Sequence, residues 1–209
     1  LRAAWADREV TITALQSLLY GGALPGEPAP ALLGDDAAYA VLARILGQRI
    51  EQAAGLGAAI LVFGSWQNRR RGDLDADRAL ALAAQRFLPL ARAAAAAGVV
   101  LAIEPIHAGY GNDFLVDHDE AATLVAAIDH PGFGLVLDVG CAGLAGEDLA
   151  AVLTRHGQVI RHVQLAERGL APLADSPWHR QAGPILAHWL ARRTRNGQPE
   201  PGICIEALS

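Results

Sequence analysis

Short apolar runs alternate along the chain with longer stretches that repeat apolar residues at helical spacing, and Gly, Pro and Asp punctuate the joins. The central run is VVLAIEP, Val99 to Pro105, which follows an Ala-rich helical stretch and Gly98 and delivers one carboxylate, Glu104, near its end. Such a run suits a parallel strand covered on both faces. Five more stretches read as strands: Glu9–Leu19, Ala58–Gly64, Phe133–Gly140, Val159–Glu167 and the closing GICIEAL from Gly202. Helices are expected from the Asp35-Asp36 cap to Gly55 and Gly57, from Asp75 toward Ala97, from Asp117 to Asp129, from Gly146 to His156 and from Trp178 to Arg195. Pro89 is expected to kink or divide the second of these. The Pro- and Gly-rich stretch GGALPGEPAPALLG reads as a surface loop that could act as a lid.

Strands alternating with helices, with no hairpin signal, predict an all-parallel α/β fold. No Gly-x-Gly-x-x-Gly or Walker loop follows any strand, which disfavours a nucleotide-binding doubly wound sheet. Polar residues at the C-terminal ends of several strands suit a (β/α)8 TIM barrel. About six βα units are visible, so the reading takes residues 1–209 as a single barrel domain truncated at both ends. On this expectation two βα units would precede Leu1 and one helix would follow Ser209, and edges left open would invite aggregation. The chain has no methionine and opens on Leu1, which also places the natural start further upstream.

Composition narrows the function classes. With 209 residues, 52% of them hydrophobic, the chain can bury a large core. No apolar run approaches the roughly 20 residues of a membrane span, and LRAAWADREV has no signal-peptide h-region. Two cysteines, Cys141 and Cys204, make no disulfide framework and read as packing residues in a cytoplasmic protein. A net charge of −5 without a basic block argues against a nucleic-acid partner. The basic patches 68–71 and 192–195 read as solvated or helix-capping charges.

Candidate chemistry lies at the strand ends. If all strands belong to one barrel, Glu104, Asp138, Gln164 and Glu206 can converge at its mouth. Three carboxylates in one pocket repel one another unless a cation neutralises them, and an oxygen donor set favours Mn²⁺ or Mg²⁺ over a Cys-bound Zn²⁺. Alone, each acid could equally be a helix cap or an ion-pair partner. His162 could be a core histidine or a site residue, and His107 and Trp66 could contact substrate or merely pack. No Ser or Cys has an evident base partner, so covalent catalysis has little support.

The motifs LVFGSWQNR, VVLAIEP, GFGLVLDVG, RHVQLAE and GICIEAL resemble, in order and spacing from Glu9 to the last residue, those of the xylose isomerase-like TIM barrels. Within them the likeness is to sugar phosphate isomerase/epimerases and ketose 3-epimerases. The resemblance implies one divalent metal, Mn²⁺ or Mg²⁺ with Co²⁺ or Zn²⁺ as alternatives, held by Glu104, Asp138, Gln164 and Glu206. Gln164 departs from the usual histidine and is a neutral, weaker oxygen donor. Cys141 departs from a histidine that often contacts substrate, and Arg168 approximates a substrate-binding arginine. The implied activity is sugar isomerisation or epimerisation through an enediolate, with Glu104 and Glu206 as the acid/base pair and His107, Trp66, His162 and Arg168 as substrate-binding residues. The partner would be a small sugar or sugar phosphate, with the Asn68-Arg69 loop as a candidate phosphate site. Neither nucleic acid nor membrane is implied, and homo-oligomerisation is left open. The alternatives are a catalytically impaired carbohydrate-binding or regulatory barrel, favoured by Gln164 and Cys141, and an endonuclease IV-like phosphodiesterase.

Overall fold

The structure is a computed structural model that describes residues 7, 9–172 and 176–206. Six parallel strands, β1 (Ala14–Leu15), β2 (Ile60–Phe63), β3 (Val100–Ile103), β4 (Phe133–Asp138), β5 (Ile160–Ala166) and β6 (Gly202–Glu206), pair in sequence order in one sheet. They form a nearly closed barrel with helices between the strands. The helices are α1 (Asp36–Leu56), α2 (Ala76–Ala96), α3 (His118–Ile128), α4 (Val139–Ala145), α5 (Leu149–His156) and α6 (Pro177–Arg195). None is long and apolar enough to cross a membrane.

Strand alternation divides the apolar residues into two cores. Leu61, Phe63, Leu101, Ile103, Leu135 and Leu137 join the helices in a large outer cluster. Ile60, Val62, Ala102 and Val136 fill a small interior one. Phe87 of α2 knits the outer core together, meeting Phe63 edge-on at 5.4 Å and Phe133 at 5.1 Å. Asp35, Asp75, Asp117 and Ser176 each accept a backbone N–H at a helix N-terminus, and α1 stops where Gly57 takes a left-handed conformation.

The structure differs from the sequence reading in four places. The first strand shrinks to Ala14–Leu15, because only there does the segment pair with β2. Pro89 does not divide α2, since buried Arg86, Phe87, Leu90 and Ala91 on both sides of it hold one continuous helix. Helix α4 lies where none was expected, because VGCAGLA is buried along most of its length and shows no amphipathic rhythm. The basic patches are not simply solvated. Arg69 is fully buried, with its guanidinium donating to the Phe63 and Leu115 carbonyls. Arg193, 3% exposed, donates to Gly157 O at 2.6 Å and Pro199 O at 2.6 Å while stacking on Trp189. Of the strand predicted from Gly202, residues 207 and 208 lie outside the described residues.

Arg193 thus fastens α6 both to the turn before β5 and to the segment leading into β6. R193A leaves two carbonyls without their charged donor and is expected to lower the unfolding free energy by about 2–3 kcal/mol. Urea titration checks this, and a change within about 0.5 kcal/mol, the ordinary surface range, would remove Arg193 from this role.

Candidate active site

The site is built by four strand ends whose register sets which side chains meet. Between β4 and β5 the register shifts so that Leu135 pairs with Ile160 but Val136 pairs with His162, which makes Arg161 an extra residue. Gly134 leaves space for it, since a Cβ there would stand 2.3 Å from Arg161 Cγ. The bulge places Gln164, rather than the core residue Val163, beside Asp138. On the next strand Gln164 pairs with Cys204 and Ala166 with Glu206.

Glu104, Asp138 and Glu206 meet at the mouth, with one carboxylate oxygen of each within 4.8 Å of the others. Glu104 is 8% exposed and its proton affinity is raised to about 8, first by burial and then by the Asp138 and Glu206 charges, with Arg69 opposing. Burial also raises Asp138 and the half-buried Glu206. Asp138 has a second task. Its Oδ1 accepts the Cys141 N–H at 2.9 Å and caps α4, so the helix fixes the carboxylate's direction. Gly64 gives Glu104 its room, because a Cβ on Gly64 would lie 2.1 Å from Glu104 Oε2.

Gln164 completes the group. Its Nε2 donates to Glu206 Oε2 at 2.9 Å and to Gln16 Oε1 at 3.2 Å, and Gln16 donates in turn to Glu206 Oε1 at 3.2 Å. These partners fix the amide and leave Gln164 Oε1 buried with no hydrogen-bond donor. Three crowded carboxylates form an all-oxygen donor set that fits a hard divalent ion, and Gln164 Oε1 is a further unpartnered oxygen on the neighbouring strand. Such an ion would supply the missing positive charge.

A cavity of about 460 Å³ opens above the three acids, with Trp66, Tyr110, Ser65, Gln16 and Cys141 also on its walls. Among the other residues expected from the sequence, Trp66 and Asn68 line it, and His107, His162 and Arg168 do not. His107 is turned to accept the Gly109 N–H through Nδ1. His162 lies inside the barrel with Nε2 3.2 Å from Cys204 Sγ, and burial lowers its proton affinity. Arg168 is exposed and stacks on Trp178 at 5.4 Å. The Asn68-Arg69 pair does not present its side chains to a phosphate, since Arg69 is fully buried and the Asn68 amide is spent on Pro30 O at 2.7 Å. Burial pushes up the thiols of Cys141 and Cys204, so both stay protonated near neutral pH.

Sequence reasoning missed Gly64, Gln16 and Tyr110. Gln16 lies three residues inside the end of the predicted strand Glu9–Leu19, as Gln164 lies three inside the end of Val159–Glu167, and that position was its available signal. Gly64 and Tyr110 carry none that a single sequence shows.

Solved structures share this architecture at low identity. A 3-keto-D-glucoside 4-epimerase from E. coli matches with a TM-score of 0.71 and 13% identity, covering 100% of this chain and 76% of that one. An AP endonuclease of family 2 from Brucella melitensis gives 0.74 and 18%, covering 97% and 75%. A D-allulose 3-epimerase from Methylomonas sp., in complex with D-allulose, gives 0.75 and 15%, covering 100% and 67%. This chain therefore spans two thirds to three quarters of their lengths, and at such identity the likeness is one of fold. Among curated proteins no sequence match is found. The family profile for xylose isomerase-like TIM barrels matches residues 1–201, and the chain belongs to that family.

Proposed function

We propose that the protein is a metal-dependent isomerase or epimerase of a small ketose or related sugar, acting by proton transfer at the carbon beside a carbonyl. The observation that carries this reading is the meeting of Glu104, just past the end of β3, with Glu206 on β6, with Asp138 and Gln164 on the two strands between. One acid on each side of the substrate lets one glutamate take a proton and the other return it. Glu104's raised proton affinity, near the working pH, suits that exchange. Asp138 and Gln164 would hold the ion, together with the two glutamates. The ion, Mn²⁺ or Mg²⁺ for an all-oxygen set, would supply the positive charge that offsets negative charge developing on the substrate's oxygens. Trp66 supplies an apolar face for the sugar, and Gln16 holds Glu206 in place. The named activities of the epimerases with the same fold agree with this reading. A phosphodiesterase is less well supported. Arg69 is buried, Arg70 lies 3.8 Å from Asp113, and among the described residues one acidic group, with no His-rich cluster, could hold metal.

The test is Mn²⁺ binding by calorimetry, with solvent deuterium uptake into ketoses followed by NMR. The natural sequence is expected to bind one Mn²⁺ and to exchange substrate protons. If only Q164H binds the ion, the isomerase reading fails and a carbohydrate-binding role replaces it.

Metal binding must displace the proton that Glu104 holds at neutral pH, so Mn²⁺ affinity is expected to rise from pH 6 to about 8. Titrations in two buffers of different ionisation heat would show proton release at pH 7, and its absence would contradict the assignment.

Glu104 also links stability to pH. Its folded proton affinity, about 8, exceeds the ordinary 4.5. Its stabilising contribution is therefore complete below the unfolded value and lost as pH rises through the folded one. The melting temperature of the metal-free protein is expected to fall across that window. E104Q should flatten the fall while abolishing exchange, and a pH profile unchanged in E104Q would refute the linkage. G64A, which drives a methyl group into the Glu104 carboxylate, is expected to weaken Mn²⁺ binding at least about tenfold.

A further inference from the structure

The cavity above the carboxylates does not end at its own rim. A second hollow of about 480 Å³ shares Ser17, Ser65 and Asn68 with it and runs outward past Leu19, Tyr20 and Pro30. Three features mark this hollow as built. Ser17, at the junction, holds a left-handed backbone with φ of 54°, a conformation that costs a non-glycine residue roughly 1 kcal/mol or more. Its carbonyl accepts the Tyr20 N–H at 3.0 Å and closes the turn that presents Tyr20. Two arginines of α1 hold this loop by its carbonyls. Arg49 donates to Leu18 O at 2.9 Å and Tyr20 O at 3.1 Å, and Arg44 donates to Gly22 O at 3.2 Å while pairing with Glu27 at 2.6 Å. The far wall is pinned by Asn68, which donates to Pro30 O and accepts the Leu32 N–H at 2.6 Å.

On this rigid frame the Tyr20 side chain is left 87% exposed. A backbone held at both ends thus displays an uncovered aromatic ring beside a cavity, and a flat apolar ring with a polar tip is the face on which a sugar ring stacks. Among the described residues the hydroxyls of Ser17 and Ser65, at the passage between the hollows, have no hydrogen-bond partner, so both can serve a polar ligand. No arginine or lysine lines the outer hollow, which speaks for an uncharged occupant.

We propose that this outer hollow is a second sugar subsite, so that the substrate is a glycosylated ketose whose reacting unit sits over the carboxylates and whose second ring lies against Tyr20. This rests on the reading of the inner cavity as the reacting site.

The experiment compares D-fructose with maltulose, lactulose and isomaltulose, in each of which fructose carries a second hexose ring, by calorimetry on the full chain with Mn²⁺ present. At least one disaccharide is expected to bind about tenfold or more tightly than fructose. Y20A should bring it back to the fructose level without changing fructose affinity, and Y20F and Y20W should keep the advantage. The proposal is overturned if no disaccharide gains more than about twofold over fructose, or if Y20A weakens both sugars alike. Deuterium uptake into the same sugars is read separately. Its absence would sink the isomerase reading while a Tyr20-dependent disaccharide preference still reported the subsite.

Discussion

Everything at the mouth of this barrel answers to one constraint, the crowding of Glu104, Asp138 and Glu206, the first two buried and the third half-buried. Burying one carboxylate without a partner is costly, and burying three together compounds the cost with mutual repulsion. The surroundings ease it by separate devices. Asp138 draws on the N–H groups that open α4, Glu206 on the amides of Gln16 and Gln164, and Glu104 on the distant positive charge of the buried Arg69. Each device softens the repulsion and none removes it, as the raised proton affinities of all three acids show. A site left under this tension attracts positive charge, and that is the property on which the proposed metal-dependent proton transfer rests.

Much of this was legible in the sequence. Uninterrupted apolar runs between helical stretches fixed a parallel sheet, and the acids at their ends fell at equivalent places because side chains alternate along a strand. Asp138 and Gln164 could be matched without knowing that a bulge at Arg161 was needed to bring them side by side. The bulge itself was not legible, since its cause is the space above Gly134, a contact between strands. Arg69 and Arg193 were misread for a related reason. Charge runs look alike whether water or backbone carbonyls surround them, and only the tertiary fold decides. Helix α4 was missed because a buried helix of small residues has no polar face to give it a period.

Arginines recur as fasteners throughout. Arg44 and Arg49 grip the loop after β1, Arg86 binds the Leu32 and Gly34 carbonyls at 2.7 and 2.8 Å, and Arg193 ties α6 to the chain on either side of it. A guanidinium spreads several donors in one plane, so one side chain can satisfy carbonyls from two segments that no helix or strand would pair. Loops held this way keep their shape and place Leu18 and Leu32 in the core. That matters here because loops wall much of both hollows, and binding costs less when the walls are already in place.

Gln16 has a consequence of a different kind. Strand β1 pairs only with β2 and β6 only with β5, so no backbone ladder joins the two edges of the sheet among the described residues. What does join them is Gln16, which reaches from the end of β1 to Glu206 on β6 and to Gln164 on β5. The seam of the barrel is therefore sewn by the same side chains that surround the ion site. Gln16 ties the β1 lip to Glu206 and Gln164 on the other side, so whatever holds those two side chains in place also holds the seam closed, as a hoop holds staves.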